Sequence, residues 1–465
     1  MFRGVLMKKE RSKRERVLTL YKFPLLYHSI KGRDFLLLLQ TIIVSNLGRA
    51  IQSIAVTWYI LSVFGGAKSG LYLAFYYSCF LIPLIMFGPI AGMFVDMHNR
   101  KNIIIITNVL RGVFLLILAG VTFLKFFPML FLFLITIINA ILIAFSVPAA
   151  NACIPNIVKD KNLVKANSVI SLNENLTFII GASIAGFLYA KIGIVGVFTI
   201  NGVLFVLTGV FVVFTNNYKV NKFLRERKVG VFSGRGLEFL KHFKNIFSSI
   251  KDGFVFIKSD RPIYLIIIFG LVINFFIYPF DSILLPKTIK FSLHLGASKY
   301  GIMQAIASVG GVLGLGLMTI IPKKNSVIYN FLKYGVFVLG VTVFLSGILL
   351  LPIGFKYLSA YGIYVIFCFL GFIRQVFDSL FMIPMKTIYQ KRVPNEYRGR
   401  FYGFMNTMWI GLQPVSCGIL GLVTSLNYFS TTSIMIALGV MIVIMSILIG
   451  ITSDIKKLYL QINFG

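Results

Sequence analysis

Apolar runs of about 20 residues, separated by short polar segments, organise almost the whole chain. Twelve can be marked, at 35–61, 70–94, 102–124, 128–149, 167–190, 195–215, 262–285, 299–321, 331–352, 360–384, 401–425 and 430–452. An α-helix rising 1.5 Å per residue needs this length to cross a hydrocarbon layer of about 30 Å, and a lone strand there would leave its backbone groups unpaired. The pattern therefore predicts an all-α membrane protein with twelve transmembrane helices in two six-helix bundles. Residues 216–261 interrupt the pattern and divide the chain. They separate a bundle at 35–215 from a second at 262–452, with a basic tail at 1–34 and a short tail at 453–465. Within the linker, Leu237, Leu240, Phe243, Phe247 and Ile250 recur at helical spacing with Lys241 and Lys244 between them, which suits an amphipathic helix lying on the membrane surface.

Composition excludes a water-soluble reading. Hydrophobic residues make up 58% and charged residues 13% of 465 residues, with a mean hydropathy of +0.88. The net charge of +32 invites a nucleic-acid partner, but the placement of the charges argues against one. If the N-terminal tail is cytosolic, 36 Lys and Arg fall on the inner side (Lys333, at the edge of its span, included), seven on the outer side and three within spans. Such an asymmetry predicts cytosolic termini in a plasma or inner membrane, with anionic lipid as the neighbour of the basic face. Cys79, Cys153, Cys368 and Cys417 lie far apart without metal or redox spacing, and the four histidines form no cluster, so no metal site is expected. No apolar stretch with a cleavage site follows the basic N-terminus. A phosphate-cradling glycine loop followed by Lys and Ser/Thr is also missing, which disfavours ATP-driven pumping and an enzyme.

The halves repeat. After the fourth run comes Val147-Pro148-Ala149 and then Pro155-Asn156; after the tenth come Ile383-Pro384 and then Pro394-Asn395. Each pair predicts a helix end at the first proline and a turn at the second. A parallel repeat of six helices is the symmetry of a two-bundle secondary transporter. Between the second and third runs stands Gly88-Pro-Ile-Ala-Gly92-Met-Phe-Val-Asp96-Met-His-Asn-Arg100-Lys101. Gly88, Ala91 and Gly92 predict close packing of that helix end against a neighbour. The run resembles the signature loop of major facilitator transporters, matching at Gly92, Asp96, Arg100 and Lys101. Met97 and Asn99 depart from it, and Asn is the residue after Gly that best tolerates a left-handed turn. Together with Ala166-Asn167, Gly181 to Gly186, Asp252-Gly253 and Pro394-x-x-x-Arg398-Gly399-Arg400, the likeness extends from residue 35 to 452. It is to the macrolide- and siderophore-exporting branch of that superfamily. The resemblance implies an alternating-access exporter, a latch at Gly88, Gly92, Asp96, Arg100, Lys101 and Arg400, and a cavity lined by the first, fourth, seventh and tenth helices. In that latch Asp96 meets Arg100 and the positive end of the eleventh helix. The fifth helix has Gly181-Ala-Ser-Ile-Ala-Gly186 without the proline common in such exporters.

Six ionisable residues lie inside spans, where each costs roughly 2.5–3.5 kcal/mol and needs a reason. Arg49 shares a helical face with Asn46, Gln52 and Ser53; Arg111 sits about 13 Å into the third span. Glu174, beside Ser171 and Asn175, has no basic neighbour within a turn of its own helix and is the leading proton-carrier candidate, with Asp378 and Asp281 behind it. Arg111 is a possible counter-ion for Glu174. Arg374 and Asp378 are spaced to pair on one helix, and Asp281 follows Asn274 and Tyr278 on one face. Arg49, Asn46, Gln52, Arg111, Asn274, Tyr278 and Arg374 are the cargo candidates. The function expected is proton-driven efflux of a hydrophobic or amphipathic small molecule, macrolide-like or siderophore, by a monomer without a cofactor beyond the proton gradient. A lipid or lysolipid flippase of the same fold and a non-transporting membrane scaffold are the alternatives.

Overall fold

The structure, a computed structural model, describes residues 33–158, 162–214, 258, 260–320 and 325–453, and the regular elements among them are all helical. Helix α1 spans Arg33–Phe64, α2 Lys68–Met97, α3 Arg100–Phe123 and α4 Pro128–Ile157. One helical path, Leu163–Val213, supplies both α5 and α6, broken where Gly193 takes φ 64° and ψ −174°. That backbone is open to glycine because no Cβ meets the following carbonyl. Helix α7 runs Arg261–Pro279 and continues through the π-helical turns Phe280–Leu284 and Thr288–Ser292, with Leu285–Lys287 between them. Helices α8 (Ala297–Ile320), α9 (Asn325–Ile348), α10 (Ala360–Arg392), α11 (Asn395–Ser425) and α12 (Thr431–Ile451) follow, with a short helix at Pro352–Tyr357 before α10. Eleven helical paths among the described residues are long and apolar enough to cross a membrane; with the broken path counted as two, the spans number twelve.

The face where α1 begins and α12 ends is the tail side, and its opposite is the far side. In the first bundle α1 and α3 pack along the α5–α6 path, and α4 packs on α2 and α3. In the second, α9 packs on α12 and α10, α8 on α10, and α7 on α11. Two seams join the bundles, α5 with α8 and α2 with α11. One buried apolar cluster runs from Ile54 and Leu115 through the seams to Ile283 and Phe367. A second cluster (Phe35, Leu38, Ile104, Cys153 and Val212) belongs to the tail-side end of the first bundle by itself. Exposed Phe75, Met86, Phe187 and Phe369 cover the rim with apolar surface that acyl chains, not water, solvate. The four cysteines are free and buried, as small core residues.

Three local expectations are corrected. The helices do not end at their first prolines: α4 continues through Pro148 and Pro155, and α10 through Pro384 to Arg392. A proline removes one ladder bond without ending a helix that its neighbours hold, and Arg100 Nη1 donates to the Ala152 carbonyl of α4 at 2.7 Å. Asn99 is not left-handed. Its φ is −70° and ψ 109°, and its side chain caps α3 by accepting from the Lys101 N–H. An N-cap oxygen satisfies one of the orphan donors of a helix start, which a glycine cannot do. Asn99→Ala is therefore expected to cost about 1 kcal/mol and Asn99→Gly only a few tenths, read as SDS-titration midpoints of the purified protein. Third, Gly88 and Gly92 face open space rather than a packed neighbour. The amphipathic segment at 237–250 lies outside the described residues.

Candidate functional site

On the far side the two bundles are in contact. Gly186 of α5 faces the backbone of Ala297 and Ser298 on α8, and Gly301 of α8 faces the Ala182 carbonyl. No side-chain carbon fits at either position, which lets the helices cross backbone to backbone. Gly421 of α11 likewise abuts Ala74 and the Gly70 carbonyl of α2. Aromatic pairs extend the seal: Trp58 of α1 stacks on Tyr300 of α8 at 6.0 Å, and Tyr77 of α2 meets Tyr278 of α7 edge-on at 6.1 Å. Lys290, at the end of α7, donates to Ser62 Oγ of α1 and lies 5.3 Å from the Trp58 ring. Toward the tail side, Gly88 and Gly92 of α2 face open space, and the first bundle has its own apolar core, separate from the cluster that crosses the seams.

Beneath that seal lie the charged residues. In the first bundle α1 carries Arg49 nine positions before Trp58, about 13 Å nearer the tail side, exposed and hydrogen-bonded from Nη2 to Asn46 Oδ1 at 2.7 Å. Glu174 of α5 is exposed too and lies within electrostatic reach of Arg49. Arg111 of α3 is buried, with its guanidinium 4.0 Å over the Phe205 ring of α6 and its Nε donating to Asn139 Oδ1 of α4 at 3.3 Å. The same Phe205 ring sits against Gly48, while Asn201 donates to the Gly48 carbonyl at 3.2 Å. Arg111 thus sits beside α1, within the field of Arg49. Arg49, not Arg111, is the cation that Glu174 acts upon. Gln52 is half-buried one turn along α1.

In the second bundle Arg374 reaches across to α7. Its two terminal nitrogens grip both carboxylate oxygens of Asp281, Nη1 at 2.7 Å, with Arg374 only 5% and Asp281 31% exposed. This replaces the Arg374–Asp378 pairing that the spacing on α10 suggests. A fork-shaped guanidinium binds best to a carboxylate that faces it, and the π-helical turn at Phe280–Leu284 presents Asp281 that way, whereas a residue on the same helix meets it end-on. Asp378 is within the field of both members of the pair, and no hydrogen bond holds its carboxylate among the described residues. Behind Arg374, Gln304, Thr342 and Ser346 line a cavity of about 10 Å³, the size of one water. Asn274 accepts from Gln413 of α11 at 3.5 Å, and Tyr278 faces the seam toward Tyr77.

The signature loop docks through its cations. Arg100 reaches the Ala152 carbonyl, and Lys101 Nζ donates to the Val213 carbonyl at the end of α6 at 2.8 Å, both favourable partners for helix C-terminal dipoles. The side chains of Asp96 and Arg400 lie outside the described residues. Sequence reasoning passed over Phe205, Asn139, Asn201, Tyr77, Tyr300 and Lys290. Asn139 and Asn201 carried a legible signal, since an amide inside an apolar span needs a polar partner.

Comparison with known proteins gives this geometry a class. A sequence profile described as Major Facilitator Superfamily matches residues 38–412. The chain belongs to the major facilitator superfamily and is a multi-pass membrane transporter, not an enzyme. It is 21% identical over 425 residues to macrolide efflux protein A of Streptococcus pyogenes, covering 90% of this chain and 95% of that one. It is also 26% identical over 385 residues to the uncharacterized MFS-type transporter YfiS of Bacillus subtilis, covering 81% and 83%. Among solved structures, the peptide transporter POT matches with a TM-score of 0.66 at 12% identity over 92% of this chain and 96% of that one. A bacterial homologue of the iron transporter ferroportin in an inward-facing state matches at 0.62 and 15%, over 90% and 99%. At those identities the likeness is one of fold.

Proposed function

We propose that the protein is a proton-driven exporter of a hydrophobic or amphipathic small molecule, working by alternating access between the bundles at 35–215 and 262–452. The observation that carries the reading is the pairing of backbone crossings that close the far side with Arg49 and Glu174 exposed beneath them, and open space at the tail-side glycines of α2. The excess of Lys and Arg on the tail side supports placing that side in the cytosol, which makes this conformation inward-open in a plasma or inner membrane. A monomer suffices, since both walls of the central space come from one chain. The latch role of Asp96, with Arg400 near the start of α11, belongs to the opposite state, in which the tail side closes.

Among the acids, Asp378 suits the proton best. Protonating Asp281 would break two charge-assisted bonds to Arg374, whereas Asp378 has none to lose. Glu174 is the second candidate, held only by the longer-range attraction of Arg49. Each proton entering down a 100 mV potential supplies about 2.3 kcal/mol, and the cargo leaves on the opposite stroke.

Inside-out membrane vesicles, energised by respiration and given a radiolabelled macrolide, test this reading. Macrolides are the cargo that the Streptococcus relative's name states. Accumulation that a protonophore abolishes is expected. Asp378→Asn is expected to cut it at least tenfold, and Glu174→Gln less. Accumulation that persists without a proton gradient would remove proton coupling. No accumulation of any amphiphile in a panel of cations, anions and zwitterions would remove the efflux reading.

A further inference from the structure

Among the buried polar groups of the first bundle left without partners, two are amide nitrogens next to the arginines, and the Asn201 amide oxygen beside Gly48 is an acceptor near them. Asn46 Oδ1 is taken by Arg49 and Asn139 Oδ1 by Arg111, which fixes both amides with their NH2 groups pointing elsewhere. Those two nitrogens, Asn46 Nδ2 and Asn139 Nδ2, are buried without a hydrogen-bond partner. Asn139 is itself only 3% exposed. A buried donor left unpaired costs about 1–3 kcal/mol, so two in one place ask for an acceptor. The charges ask for the same thing. Arg49 and Arg111 act on each other, and neither makes an ion pair within 4 Å among the described residues. Glu174 answers one positive charge at most, and only at longer range.

We propose that Arg49, Arg111, Asn46 and Asn139 form a binding site for an anionic group, with the carboxylate, phosphate or sulfonate of an amphipathic cargo as its ligand. This deepens the exporter reading and rests on it for the identification of the central space as the cargo route. Arg49 is the exposed, first-meeting cation, and the buried amides and Arg111 reward a ligand that comes far enough in to shed its water. A bound anion also takes Arg49 from Glu174, so cargo entry and release of that carboxylate become one event. A free inorganic anion has the same chemistry, and the test separates the two sources.

The full chain in lipid nanodiscs is titrated with dansyl-labelled octanoic acid and with its methyl ester, with chloride raised from trace to millimolar levels in a parallel series. The acid is expected to bind at least tenfold more tightly than the ester. That preference is expected to fall below threefold in Arg49→Gln, an exposed position that leaves packing untouched, and in Asn46→Ala. Displacement of the acid by millimolar chloride would show the site accepting free anions as well; binding of the acid unaffected by chloride would assign the site to cargo. Equal binding of acid and ester, or a preference that survives both substitutions in variants with wild-type thermal unfolding, overturns the proposal. Macrolide efflux in vesicles is read independently. Its absence with the anion preference intact counts against efflux alone, and its presence without the preference counts against this site alone.

Discussion

Arg374→Ala should abolish transport and give the largest loss of stability of any single substitution at the charged residues. The guanidinium is 5% exposed and holds both oxygens of Asp281 on another helix. Removing one partner of a buried pair leaves an uncompensated charge, a change of about 3–5 kcal/mol when both groups are fully buried. Because Asp281 is 31% exposed, the lower end of that range applies. Neutralising the partner as well, in Arg374→Ala with Asp281→Ala, should recover much of the folding stability but none of the transport. Unfolding midpoints in SDS for the two single variants, the double variant and the wild type close the cycle. A single variant as stable as the wild type would show that the pair does not tie α7 to α10.

The second large effect is expected at the α5–α8 crossing. A Cβ at Gly301 would overlap the Ala182 carbonyl, and one at Gly186 would overlap that of Ala297. These atoms are backbone, so no side chain can swing aside, and the helices must separate. Gly301→Val should therefore hold the far side apart and reduce transport more than tenfold while leaving the protein inserted and folded. Maleimide labelling of Ala297→Cys, placed in a background lacking the four buried native cysteines, reports the opening, because Ala297 is buried at the crossing against Gly186. Faster labelling is expected in Gly301→Val. An unchanged rate together with normal transport would mean that the crossing is not what closes the far side.

The two predictions differ in how much of their basis was readable beforehand. That Arg374 and Asp281 both needed partners followed from their place inside apolar runs. That they are each other's partners did not follow. The two lie 93 positions apart, and the offset that joins them comes from a π-helical turn that no apolar periodicity marks. Spacing favoured Asp378 because proximity along a helix is all that spacing can see. Arg111 shows the same limit. Its depth in the third run called for a counter-charge, but the fold surrounds it with Phe205 and Asn139, and Glu174 lies within electrostatic reach of Arg49. Asn99 was misread for a more local reason: extended and left-handed backbones are both open to asparagine, and the helix that follows it selected the capping one.

By itself the sequence determined the number of the spans, which loops carry the positive charge, and the family that the loop from Gly88 to Lys101 resembles. These follow from solvation of each segment by lipid or water, a property that every stretch of chain carries independently of the others. Only the tertiary structure decided which charge faces which, which glycines serve a crossing and which face open space, and that the far side is the closed one in this conformation. Those are relations between segments distant along the chain. They depend on distances of a few ångströms between side chains, set by packing that no single helix contains.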